Sequence, residues 1–162
     1  MMKQALVWTC VVILGGIPGI GFAADPSGLV TVASNNSVAE TIQRFEDAIR
    51  ANGDQGWMVF TQLDHAAAAE KYGLKLLPRT VIVYGNPRGG TGNMVKVPTV
   101  AIDIPPKALV WQDDQGKVWL SYNSAAYLVD YVYARHGVAR PPAEGVEAYA
   151  KLLQVWAEKA TH

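Results

Sequence analysis

The sequence holds one cysteine, Cys10, and no excess of either charge: 14 Lys and Arg stand against 14 Asp and Glu in 162 residues. A lone thiol excludes a disulfide framework within the chain. Balanced charge argues against a chain built mainly to hold nucleic acid, because neutralising phosphates needs a clear Lys and Arg excess. Charged residues make up only 17% and hydrophobic residues 50%, which excludes a disordered chain. A membrane-spanning run is lacking too. Ala5 to Leu14 is uncharged, but Gly15, Gly16 and Pro18 break it short of the ~20 apolar residues that a span needs.

What is present at the start has another reading. Lys3 gives a positive beginning, Ala5 to Leu14 an apolar centre, and Gly21-Phe22-Ala23 the small residues a signal peptidase reads. Residues 1–23 are therefore expected to be a secretory signal peptide, with the protein exported to the periplasm or beyond the cell. Cleavage after Ala23 would remove Cys10 and one Lys, leaving 139 cysteine-free residues with a net charge of −1 and no membrane span. That length suits one folded domain.

Local signals then mark the elements. Leu29 to Ala33 reads as a short strand. Ser37 and Glu40 form a capping-box signature, and Val38, Ile42, Phe45 and Ile49 follow at helical spacing, predicting a helix over 38–52. Trp57 to Leu63 reads as a strand, followed by an Ala-rich helix over 65–72 with Asp64 as its N-cap and Gly73 after its end. Thr80 to Tyr84 is a buried-looking strand. Gly85 to Gly92 reads as a glycine-rich loop, with a helical turn or two over 93–97. Val100 to Ile104 and Ala108 to Gln112 look extended, and Asp113 to Gly116 turns the chain into Val118 to Tyr122. Tyr127 to Ala134 suits a strand by composition, but Asn123 or Ser124 as cap, Arg135 and His136 in the last turn and Gly137 after it favour a helix. Pro141-Pro142 sets off a terminal helix over 143–159, striped by Val146, Tyr149, Leu152, Leu153 and Trp156. Trp57, Trp111 and Trp119 are expected in the core.

Two places could carry chemistry. Gly85-Asn86-Pro87-Arg88-Gly89-Gly90-Thr91 follows a strand, where bare amides could hold a small anionic ligand. It resembles a phosphate loop, but the Lys that should follow Gly90 is missing, so nucleotide hydrolysis lacks its charge partner. The candidate ligand residues are Gly85, Asn86, Gly90 and Thr91; the competing reading is a structural turn whose glycines supply positive φ. Asp64-His65, at a strand's end, is the candidate for proton transfer, with Asp103 as a further carboxylate that must be paired or exposed. Glu70 lies about 140° around a helix from His65, so no metal site follows from that spacing. No pattern calls for a cofactor.

The ordered series Asp64-His65, Ala66 to Glu70, Leu77-Pro78, Tyr84-Gly85-Asn86-Pro87, Gly90-Thr91, Met94, Pro98, Asp103-Ile104-Pro105, Leu109-Val110-Trp111, Asp113, Gly116-Lys117-Val118 and Tyr122-Asn123 resembles the domain of unknown function 302 family. Gly89, Pro106 and Gln112 depart from its usual residues. The resemblance spans residues 29–137. It implies an α+β fold, a two-layer α/β sandwich with a mixed or antiparallel sheet and helices packed on one face, often dimeric. It implies no reaction, and the helix beyond Gly137 lies outside it. The expected organisation is a signal peptide over 1–23, the family domain over 24–137 and a helical extension over 138–162.

The leading expectation is a non-enzymatic, exported binding or assembly module, possible as a homodimer, with any ligand near Asn86 to Thr91 and His65. The alternative is a small hydrolase or isomerase with His65 as base and Asp64 or Asp103 as its orienter. A structural role in the cell envelope through the terminal helix stands third.

Overall fold

Alternating apolar residues and hydroxyl or amide caps set out five strands, five helices and two separate 3-10 turns in the computed structural model, which describes residues 27–162. The expected signal peptide and Cys10 lie outside the described residues. Strands β1 (Leu29–Ser34), β2 (Met58–Asp64), β3 (Arg79–Gly85), β4 (Lys107–Gln112) and β5 (Val118–Asn123) form one sheet in the order β1-β5-β4-β3-β2. Every neighbouring pair is antiparallel, which resolves the expectation of a mixed or antiparallel sheet.

Helix α1 (Val38–Arg50) starts as its sequence demands, with the Ser37 hydroxyl accepting from the Glu40 amide at 3.2 Å. The return half of the capping box is absent, because the Glu40 carboxylate is drawn to Arg44 at 2.8 Å instead. Asp64 caps α2 (His65–Glu70) on the Ala67 amide, and Gly73 beyond it takes the left-handed conformation. Helix α4 begins at Ala125–Tyr127 under the Ser124 cap, widens to a π-helical stretch over Leu128–Tyr133 and closes as a 3-10 turn over Ala134–His136. The caps therefore outweigh the strand-like composition of this segment.

The glycine-rich stretch is not the expected loop. Asn86 accepts from the Gly89 amide through its side chain, Pro87 presets the first helical φ, and α3 runs over Pro87–Lys96. Positive φ occurs at Gly28, Gly56, Gly73, Gly116 and Gly137, so none of Gly85, Gly89, Gly90 and Gly92 supplies a turn of that kind. Val100 to Ile104, expected to be extended, instead falls largely within a 3-10 turn over Pro98–Ile102, for the related reason that Pro98 occupies its first position.

One face of the sheet presents Val30, Val32, Ile82, Tyr84, Ala108, Val110, Val118, Leu120 and Tyr122 to Phe45, Ala48 and Ile49 of α1 and to α5 (Ala143–Thr161). Helix α5 is part of this core. Val146, Leu153, Trp156, Ala157 and Ala160 are all buried, and Trp156 meets Trp57 and Tyr84 edge-on, at ring-centre distances of 5.0 and 5.9 Å. Its indole N–H has no hydrogen-bond partner among the described residues, a desolvation cost carried inside the aromatic cluster. Trp111 and Trp119 depart from expectation. They pair across β4 and β5 at positions alternating with core Val110 and Leu120, so they stack on the opposite face, half-buried, with Arg79 and Lys117 over their rings.

Trp156→Ala would remove the side chain that joins α5 to both Trp57 and Tyr84. Loss of about 3–5 kcal/mol of unfolding free energy is expected in a urea titration; a change below 1 kcal/mol would show that α5 is dispensable to the core.

Candidate functional site

The sheet end where β3 stops at Gly85 opens into a cavity of about 850 Å³. Its walls come from five places. Trp57, Phe60, Val83 and Gly85 belong to the β2–β3 end, and Asn86, Pro87, Gly89, Gly90, Asn93 and Met94 to α3 and its cap. Ile104, Pro105 and Pro106 lead into β4; Tyr133 comes from α4, and Ala148, Tyr149 and Leu152 from α5. Gln55 closes the rim. Among the described residues no Lys, Arg, His, Asp or Glu lines it.

Small residues let these walls approach one another. A Cβ on Gly85 would stand 3.1 Å from Pro105 and 3.3 Å from Phe60. A Cβ on Gly56, whose φ is +95°, would strike the Asn86 side chain at 2.7 Å. That closeness lets Asn86 donate to the Gln55 carbonyl at 3.0 Å, while Arg88 donates to the Asp54 carbonyl at 3.0 Å. The start of α3 is thereby tied to the 3-10 turn Gly53–Gln55.

The expected anion cradle is not assembled at this helix start. Pro87 has no N–H, the Gly89 amide donates to the Asn86 side chain, and the Gly90 amide donates to the Asn86 carbonyl at 2.9 Å. Of the candidate ligand residues, Gly85, Asn86 and Gly90 line the cavity, whereas exposed Thr91 is not among its lining.

The deep wall is aromatic. Trp57 stacks on Tyr149 at 5.7 Å, and the Tyr149 and Tyr84 hydroxyls are hydrogen-bonded to each other. Burial holds the Tyr149 phenol well above its ordinary range and pushes Tyr133 up to about 12, with the Asp103 charge adding to the latter. Both are neutral at physiological pH. The Tyr133 hydroxyl joins the Gln55 and Asn93 side-chain amides as the polar groups of the wall outside the Tyr84–Tyr149 pair and Asn86.

The acid–base candidates are scattered. Met58 pairs with Gly85 and Asp64 with Thr80, so Asn86 and His65 sit at opposite ends of one strand pair, about 20 Å apart at ~3.3 Å per residue. His65 is exposed. Asp64 is occupied in capping α2, and Asp103 is bonded elsewhere. The Asp103 carboxylate accepts from Arg135 at 2.5 Å and meets His136 Nε2 at 2.6 Å, while His136 Nδ1 lies 3.1 Å from the Thr99 hydroxyl. Hydroxyl, imidazole and carboxylate stand in the order of a hydrolytic triad. Arg135 shares the same carboxylate oxygen, however, and neither Thr99 nor His136 lines the cavity. The arrangement clasps the segment after α3 to the end of α4. Among the described residues no cluster of three His, Cys, Asp or Glu could hold a metal.

With this geometry in view, the sequence pattern of the family described as "Domain of unknown function DUF302" matches residues 30–157. The chain belongs to the DUF302 family. The match continues past Gly137 through most of α5, consistent with that helix's place in the core. A solved family structure, an uncharacterized conserved DUF302 protein from Bacillus stearothermophilus, superposes with a TM-score of 0.64 at 19% identity, covering 82% of this chain and 98% of that one. It shares the DUF302 fold. Curated relatives include "Fluoride-specific ion channel FluC 1" of Brucella suis, 49% identical over 102 residues, which are 63% of this chain and 39% of that protein. FluC 2 of Brucella melitensis matches at the same identity over 37% of its length. The chain thus spans well under half the length of these relatives, and among its described residues no helix is long and apolar enough to cross a membrane.

Hydrogen bonds from His136, and then Arg135, hold the Asp103 carboxyl below its ordinary value of 3.8. A depressed folded value adds stability at higher pH that is lost as pH falls through it. The stability gap between wild type and Asp103→Asn is therefore expected to be full at neutral pH and to shrink below about pH 3.8, as read by thermal melts across pH. A gap that stays constant down to pH 2 would show that the clasp does not engage the charged carboxylate.

Proposed function

We propose that the chain is an exported small-ligand-binding module whose site is the cavity at the end of β3. One observation carries this reading: a cavity of about 850 Å³, within the size range of drug-sized ligand sites, is walled by side chains from both layers of the fold. The catalytic groups that chemistry would need are absent from its lining, which favours binding over turnover. The recurrence of similar sequence within longer Brucella chains that carry a channel name fits a module that works beside other proteins.

Gly90 supplies the test. A Cβ there would lie 3.7 Å from Ile104 and 3.9 Å from Met94, ordinary contact, so Gly90→Leu should fold and project into the cavity. Nile red, an uncharged dye that brightens in apolar surroundings, should bind wild type saturably, and Gly90→Leu should lose at least tenfold in affinity. Equal dye binding by both proteins would remove the cavity from consideration.

Self-association belongs to the same proposal. Leu63, Leu74, Leu76 and Leu77 are exposed along edge strand β2 and its connection to β3, a concentration of apolar surface that a second copy would cover. Sedimentation should give a dimer for wild type and a monomer for Leu74→Asp with Leu76→Asp; a monomeric wild type would refute it.

A further inference from the structure

The charge and hydrogen-bonding state of the cavity wall narrows what it can hold, and the argument rests on the binding reading above. Ionisable side chains are confined, along this wall, to two phenols that stay neutral. Moving a carboxylate, phosphate or ammonium out of water without a partner costs far more than any single hydrogen bond returns. The one helix start that faces the cavity has its Gly89 and Gly90 amides already donating to Asn86. An anion would therefore meet neither a cation nor a free pair of N–H groups.

A cation fares no better. Aromatic rings can hold quaternary ammonium when their faces box it in. Here Trp57 and Tyr149 lie nearly parallel, at 16°, with one face of each turned to the other, and no carboxylate lines the wall. What remains is apolar: Trp57, Phe60, Met94, Ile104, Pro105 and Leu152. Against this the polar inventory is short. Both ends of the Asn86 amide are occupied, by Gly89 and Gln55, and the Tyr149 hydroxyl is bonded to Tyr84. Gln55, Asn93 and Tyr133 contribute the remaining polar side chains, all of them uncharged groups that can donate or accept a hydrogen bond.

We propose that the cavity takes an uncharged amphiphile, a molecule with an extended or flat apolar body and one hydrogen-bonding end that meets Tyr133. The apolar body displaces water from the Trp57, Met94 and Leu152 surfaces, and the polar end takes the place of water at the half-buried Tyr133 phenol.

Three probes with one tail and different heads test it: decanol, decanoate and decyltrimethylammonium, each below its micellar concentration, measured by displacement of Nile red from the full chain. Decanol should bind at least tenfold more tightly than either ion. Gly90→Leu should abolish its binding, and Tyr133→Phe should weaken decanol severalfold; undiminished decanol binding by Tyr133→Phe would overturn the role given to that phenol. Decanoate or the ammonium binding as tightly as decanol, at a site that Gly90→Leu destroys, would overturn the uncharged class while leaving a ligand-binding module standing. Decanol binding untouched by Gly90→Leu would overturn the assignment to this cavity. Absence of any Nile red or decyl binding to wild type would overturn both readings together.

Discussion

Everything at the β3 end depends on how Trp156 is held. Its ring is fully buried between the sheet and α5, edge-on to Tyr84 from the sheet and to Trp57 at the approach to β2, while Tyr84 meets Phe45 of α1 in the same way. Edge-to-face contacts of this kind add directionality to area burial, because the positive ring edge seeks the negative face. The cluster therefore fixes the angle at which α5 crosses the sheet and not merely its nearness. Tyr149, two turns earlier on α5, is thereby placed flat on Trp57, and the deep wall of the cavity follows from that placement. An unpaired indole N–H is tolerated at the centre because no smaller or more polar ring would reach both neighbours.

The opposite wall rests on a weaker foundation. Helix α3 carries Gly89, Gly90 and Gly92, each disfavouring a helix by about 1 kcal/mol relative to Ala. None of its residues is buried. It persists because its ends are held: Asn86 and Arg88 fasten the start to the Gly53–Gln55 turn, and Asp103, beyond the following 3-10 turn, is fastened to α4. The same glycines that weaken the helix leave the cavity its volume, since a side chain at Gly90 would enter it. A loop reading of this stretch weighs glycine's freedom and misses the two neighbours that oppose it, the capping amide of Asn86 and the preset φ of Pro87.

That contrast shows which parts of the molecule are legible in sequence. Interactions closing within four residues are: the Ser37 cap of α1, the Asp64 cap of α2, the Ser124 cap of α4 and the Asp113–Gly116 turn all follow from local hydrogen bonding. The stripe on α5 announces an apolar face, though not that it completes the core. Contacts across long stretches of chain leave no such trace. Asp103 and His136 are 33 residues apart, and nothing in the spacing of either selects the other over His65. The cavity is the extreme case, since its lining is drawn from well-separated stretches of the chain between residues 55 and 152. Trp111 and Trp119 could have been assigned to the outer face only by registering β4 on β5, because alternation within one strand says which residues share a face and not which face is covered.

The clasp at Asp103 shows why a familiar arrangement of groups need not carry the chemistry it suggests. In a nucleophilic relay the carboxylate must answer the charge that develops on the imidazole, and the hydroxyl must face the substrate. Here the guanidinium of Arg135 already answers the carboxylate from the same oxygen, and Thr99 opens to solvent on the far side of the wall it helps to hold. The three residues instead fix the path of the chain between the end of α3 and Ile104. Ile104 and Pro105 form the cavity's side directly after that fixed point, so the charged cluster acts on the site by placing apolar atoms. Charge is thus kept at the anchor and out of the pocket, which is the division of labour an uncharged ligand requires.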